Sequence, residues 1–242
     1  MNQNEFKLMT DLTEQPAPQP AFAAYLLPFA AFMVLTACEG LDVFRDYYSY
    51  FYTTKIAVVF GLCFVFRKQY PRFSSVGTLW GVLYGIVGFG LWIGLCHLNL
   101  ERHIVGWLPS WLYSADRVAY DPFSSIDTVA GQWSFWSIRM LGLSVVVPVM
   151  EEIFWRGFLI RFLISEDFEK VPFEKFTAFS FWGVTLLFTA AHPELLAALA
   201  WCAGMNVLLY KTKNLSACVV AHGVTNFMLG IYILQSGHWE LW

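Results

Sequence analysis

Val76-Gly77-Thr78-Leu79-Trp80-Gly81-Val82-Leu83-Tyr84-Gly85-Ile86-Val87-Gly88-Phe89-Gly90-Leu91-Trp92-Ile93-Gly94-Leu95-Cys96-His97 contains no aspartate, glutamate, lysine or arginine. A helix needs about 20 mainly apolar residues to cross the hydrocarbon core of a bilayer, so this run is long enough by itself. Six further apolar blocks, at 21–38, 50–66, 134–150, 176–192, 195–210 and 215–235, repeat the signal. An eighth, interfacial segment fits within 98–132, where Trp107, Trp111, Tyr113 and Tyr120 stand among acids and prolines, as in the headgroup belt. The expected fold is all-α: one polytopic transmembrane bundle of seven to eight helices over 21–242, with a core of four helices in 134–235.

Composition supports this reading. Of 242 residues, 57% are hydrophobic, 19% aromatic and only 14% charged, against about 25% charged in an ordinary soluble domain. A net charge of −3 without a long Lys/Arg run argues against a nucleic-acid partner. Cys38, Cys63, Cys96, Cys202 and Cys218 sit in or beside apolar blocks without CxxC spacing, the pattern of buried thiols that pack as small hydrophobes. Residues 1–20 are polar and end in Pro16, Pro18 and Pro20. They lack the basic start and apolar centre of a signal peptide and are expected to form a disordered cytoplasmic tail.

Cations are distributed unevenly. If the tail is cytoplasmic and seven spans alternate, nine Lys/Arg fall inside, among them Arg67, Lys68, Arg72, Lys211 and Lys213, and four fall outside. The positive-inside rule then places the N-terminus in the cytoplasm and the C-terminus outside, in a membrane such as the bacterial inner membrane.

The fourth block runs on through Val147-Pro148-Val149-Met150-Glu151-Glu152-Ile153-Phe154-Trp155-Arg156-Gly157 to Ile164. One helix there would be ~45 Å long and would tilt or project from the membrane. A carboxylate deep in hydrocarbon costs at least ~2.5 kcal/mol, and two adjacent ones cost more. Glu152 and Arg156, four apart, share a helical face and can pair, while Glu151 points about 100° away toward another partner. The same charges would be ordinary interfacial residues if the span ended at Met150. His192 closes the fifth block before Pro193, and His222 and Asn226 share a face of the seventh, beside Thr225. His192 alone reads equally as an interfacial residue, and His222 with Asn226 as polar glue between helices. Together, ionisable and amide groups on three spans point to one water-filled cavity. A break near Pro193 is expected, because His222 lies about two turns from the cytoplasmic side and a straight fifth span would carry His192 to the outer end. Arg139 shows no evident partner in the sequence and is expected to snorkel to the outer interface.

These residues, in this order, resemble the CAAX prenyl protease and bacteriocin-processing family. That family carries Glu-Glu-x-x-x-Arg, Phe-x-x-x-His and His-x-x-x-Asn motifs on successive membrane helices. Here they stand as Glu151-Glu152-Ile153-Phe154-Trp155-Arg156, Phe188-Thr189-Ala190-Ala191-His192 and His222-Gly223-Val224-Thr225-Asn226. The short, tryptophan-rich form is also similar to the exosortase-associated subgroup related to that family. The resemblance covers roughly 134–235, and the first three spans carry no motif.

The resemblance implies a glutamate-type intramembrane endopeptidase acting on a peptide or lipidated protein. Glu151 would be the general base, sharing a water with His192. His222 and Asn226 would stabilise the oxyanion, with Glu152 and Arg156 as the supporting ion pair. A zinc site built from Glu151, His192 and His222 is the alternative. It would draw on three helices without a His-x-x-x-His pair, so no metal and no other cofactor is expected. Two other functions compete: a noncatalytic immunity or scaffold protein of the same fold, and a proton-coupled transporter, which should show a repeat that this chain lacks. Substrate identity and oligomeric state are not readable from the sequence.

Overall fold

The computed structural model describes residues 22–98 and 119–242. The expected tail at 1–20 and most of the expected interfacial segment in 98–132 lie outside the described residues. Helix α1 (Phe22–Glu39) leads through a 3₁₀ turn (Asp42–Tyr47) to α2 (Tyr48–Phe66), followed by α3 (Thr78–Leu98) and a short α4 (Pro122–Ser125). A long helix then occupies 129–162. It comprises α5 (Val129–Leu141), a π turn (Gly142–Val146), α6 (Val147–Glu152), a second π segment (Ile153–Leu159) and α7 (Ile160–Phe162). Helices α8 (Ala178–Ala190), α9 (Leu195–Thr212) and α10 (Leu215–Ser236) complete the bundle, and no strand occurs among the described residues.

All seven apolar blocks are helical, and five of the helices have the length and composition to cross a membrane: Phe22–Glu39, Val43–Phe66, Thr78–Leu98, Leu195–Thr212 and Leu215–Ser236. The protein is an integral membrane helical bundle. The fifth block differs from its expectation as a full span. Helix α8 has only 13 residues, about 20 Å at 1.5 Å per residue, against a hydrocarbon core of about 30 Å. Thr177 starts it by accepting from the Ser180 N–H at 3.1 Å, and it ends at Ala190, three residues before Pro193. The expected break is therefore present, as a four-residue turn between α8 and α9 in which Glu194 is buried.

Packing follows the logic of a lipid solvent. Leu79, Trp80, Leu83 and Val87 of α3, Phe60 and Phe64 of α2, and Phe179, Trp182 and Leu186 of α8 are all exposed. In water these would be liabilities, whereas against acyl chains they are the ordinary outer surface. Burial of apolar area cannot drive helices together there, so close backbone approach matters more. Helix α3 supplies it with Gly81, Gly85 and Gly88 on the face against α10. A Cβ at Gly85 would lie 2.7 Å from the Ala221 carbonyl oxygen and 2.6 Å from the Val224 Cβ. The contact is sealed by Thr225, whose hydroxyl donates to the Gly85 carbonyl at 3.0 Å. This helix pair anchors the motif-bearing α10 to the N-terminal half.

Gly85→Leu should therefore lower stability by about 1–3 kcal/mol, the cost of overpacking a close contact. Gly94→Leu, on the same helix but with no neighbour within 4 Å, should shift it by under about 0.5 kcal/mol. Unfolding midpoints in mixed micelles compare the two.

Candidate active site

The site starts from a proline. Pro148 has no N–H, so in the i→i−5 pattern of the preceding π turn the Leu143 carbonyl loses its helical donor. Helix α10 fills the gap: Asn226 Nδ2 donates to the Leu143 carbonyl at 2.9 Å. Gly223 approaches Ser144 so closely that a Cβ would stand 2.7 Å from its carbonyl oxygen. The irregular backbone of the long helix thus docks the His222–Asn226 face of α10. The π turns fit a wider pattern, since such bulges concentrate at functional sites.

Five and six residues on from the π turn, Glu151 and Glu152 point different ways. Glu152 enters a sealed interior. Both it and Arg156 are fully buried, and Arg156 Nη1 donates to Glu152 Oε1 at 3.1 Å. The same oxygen accepts from His222 Nδ1 at 2.9 Å. Arg156 uses the rest of its fork on α9: Nε donates to Asn206 Oδ1 at 3.1 Å and Nη2 to the Cys202 carbonyl at 3.3 Å and its Sγ at 3.1 Å. Its guanidinium lies beside the stacked rings of Phe188 and Trp201, 5.6 and 5.7 Å from their centroids. One ion pair therefore ties together the long helix, α8, α9 and α10.

Glu151 instead lines a cavity of about 1060 Å³. His192, His222, Asn226, Thr225, Phe188 and Trp201 line the same cavity, so the structure brings every expected catalytic side chain to one space. Glu151 Oε2 and Glu152 Oε2 are both buried without a hydrogen bond to protein. His192 sits in the turn after α8, stacked on Phe188 with ring centroids 4.2 Å apart. Its Nδ1 lies 2.8 Å from the Phe188 carbonyl. A carbonyl only accepts, so Nδ1 carries the proton and Nε2 is the acceptor of the neutral ring. This gives the phenylalanine of Phe188-x-x-x-His192 two duties, ring platform and backbone acceptor. The imidazole of His222 meets the Trp201 ring edge-on at 4.7 Å, and Trp201 Nε1 donates to Thr225 at 3.4 Å.

Glu151, His192 and His222 share the cavity, but among the described residues no three His, Cys, Asp or Glu side chains form a group that could hold a metal ion. His222 Nδ1 is already engaged with Glu152.

Arg139 departs from expectation. Instead of snorkelling to an interface it is 6% exposed and lines the cavity. It donates to the Tyr48 hydroxyl and lies over the rings of Tyr52 and Trp242, each 4.6 Å from the guanidinium. No local spacing signals this, because the aromatic partners come from α2 and residue 242. Asn206, Cys202 and Trp201 were also missed. Asn206 had a usable signal: it is a lone amide inside the apolar block 195–210, and its Nδ2 also donates to Thr185 at 3.1 Å.

Residues 132–228 match the family model of type II CAAX prenyl endopeptidase Rce1-like proteins. That segment is an Rce1-like domain. The matched segment spans less than half of the chain and contains all three motifs. No curated protein and no solved structure matches the chain.

Removing Arg156 as Arg156→Ala would strand the Glu152 carboxylate in a dry interior. Breaking a buried pair in this way typically costs about 3–5 kcal/mol. Asn206→Leu removes one acceptor of that fork and should cost less, about 1–3 kcal/mol. Thermal unfolding in detergent should rank wild type above Asn206→Leu and Asn206→Leu above Arg156→Ala.

Proposed function

We propose that this chain is an intramembrane endopeptidase in which Glu151 activates water. The observation that carries the reading is the division of labour between adjacent carboxylates. Glu152 is consumed by Arg156 and His222, whereas Glu151 faces a cavity shared with His192, His222 and Asn226. Only the second arrangement leaves a carboxylate to exchange a proton with water.

In this mechanism water rests between Glu151 and His192. Glu151 takes a proton as the water oxygen bonds to the scissile carbonyl carbon. The resulting oxyanion is met by Asn226, whose amide has a second N–H beyond the one given to Leu143, and by His222. In this role Nδ1 of His222 pairs with Glu152 and Nε2 is the ring nitrogen offered to the oxyanion. Glu151 then returns its proton to the leaving amine as the C–N bond breaks.

The substrate class we infer is a membrane-associated peptide, prenylated or linked to an exosortase system. Its support is the aromatic lining from Phe29, Phe32, Phe89 and Trp92 together with the Rce1-like domain. The cation asymmetry supports a cytoplasmic N-terminal side, in a bacterial inner membrane.

Purified protein in lipid should cleave members of a prenylated C-terminal peptide library. Glu151→Gln should fold as the wild type does yet lose cleavage, and a zinc chelator should leave the wild-type rate unchanged. Truncating Asn226 to alanine should lower kcat about 10²–10³-fold, the usual loss for one oxyanion donor. Normal cleavage by Glu151→Gln would remove Glu151 as the base, and chelator-sensitive cleavage would replace the glutamate mechanism with a metal one.

A further inference from the structure

The cavity extends well beyond the residues assigned to hydrolysis. At its other end stand Glu39 of α1, Tyr48, Tyr52 and Lys55 of α2, Arg139 of α5 and Trp242. Two cations and one carboxylate are buried together here. Lys55 is matched by Glu39, with which it forms a close ion pair. Arg139 is not matched: among the described residues no carboxylate lies within ion-pair distance of it. Its only hydrogen bond to a described side chain goes to the Tyr48 hydroxyl; Glu39 acts on it from beyond ion-pair distance, and the rings of Tyr48, Tyr52 and Trp242 lie beside it.

A guanidinium buried in a membrane bundle without a direct carboxylate partner is expensive, and such residues mark functional pathways. Arginine offers five donors in a rigid planar fork that suits a carboxylate or phosphate held in two-point contact. Here the aromatic cage holds the fork in place before any ligand arrives, since Tyr48, Tyr52 and Trp242 surround it on three sides.

We propose that this end of the cavity is a subsite for an anionic group carried on the substrate chain, with Arg139 as its receptor. The proposal rests on the reading of Glu151 as the hydrolytic end and names what the substrate must carry at a distance from it. Glu151 and Arg139 lie on one continuous helix and line one cavity. The twelve positions between them correspond to roughly 18 Å along the axis, a length spanned by about five residues of extended chain. The anion therefore belongs about five residues from the scissile bond. A side-chain carboxylate and a terminal carboxylate offer the same chemistry. A lipid phosphate is less suited, because the guanidinium shares its cavity with the proposed hydrolytic residues and is enclosed by Trp242 and Tyr48.

Binding, read separately from cleavage, tests this. The full-length Glu151→Gln protein in phosphatidylcholine nanodiscs is titrated with labelled Ala/Leu peptides by fluorescence anisotropy. Four forms are compared: an internal Asp or Asn, and a free or amidated C-terminus. One charged form should bind about tenfold tighter than its neutral counterpart, the scale of one desolvated charge contact. Which form it is identifies the source of the carboxylate. Adding Arg139→Gln should erase the preference, while Arg139→Lys, which keeps the charge, should retain part of it and guards against a folding artefact. Equal binding of charged and neutral peptides, no binding of any peptide, or a preference that survives Arg139→Gln overturns the subsite. So does a preference that disappears when phosphatidylglycerol is added, since a headgroup then occupies the position. Failure of the peptidase reading appears elsewhere, as wild-type protein that binds these peptides and cleaves none.

Discussion

The Glu152–Arg156 pair is the constraint on which the rest of the bundle depends. Both groups are fully buried, and neither charge is tolerable there alone. Their coexistence obliges the surroundings to satisfy the remaining donors, and α9 does so through Asn206 and Cys202 while α10 does so through His222. Three helices are thereby held in fixed rotation about the long helix. The arrangement resembles a keystone more than a catalyst, because its strongest bonds leave little to offer a substrate. Glu151 can face an open cavity because its neighbour has absorbed the local positive charge.

A second constraint is the irregularity of the long helix. A regular helix through Pro148 would leave orphan carbonyls in a medium with no water to receive them. The π turn at Gly142–Val146 and the Asn226 amide resolve this together. The same amide is thus committed by one hydrogen to structure, with its other hydrogen placed for chemistry. Gly223 completes the fit by removing the side chain that would hold α10 away. Structure and site share residues here, so substitutions in the His222–Asn226 motif act on packing as well as on chemistry.

The cavity joins two electrostatically distinct ends. One holds Glu151, His192, His222 and Asn226, and the other holds Lys55 with Glu39 and Arg139, which has no direct carboxylate partner among the described residues. Between them the lining is largely aromatic, from Phe29, Phe32 and Trp92.

Much of this was legible in the residues themselves. Block lengths foretold seven helices, because the thickness of a bilayer is a fixed ruler for apolar runs. The i, i+4 spacings foretold the Glu152–Arg156 pair, and Pro193 foretold the turn that ends α8. These are local properties of helical geometry. Four features were decided by tertiary structure. The fifth block is a short helix, since a turn covered by neighbouring helices can sit where lipid-exposed backbone cannot. His222 is engaged by Glu152, a contact between residues seventy positions apart. Asn206 and Trp201 join the site because α9 happens to face Arg156. Arg139 turns inward because α2 and Trp242 offer it aromatic faces. Sequence alone determined which residues are too polar for lipid; only the folded bundle decided which of them neutralise one another and which are left facing the cavity, because pairing depends on distances that no spacing along the chain encodes.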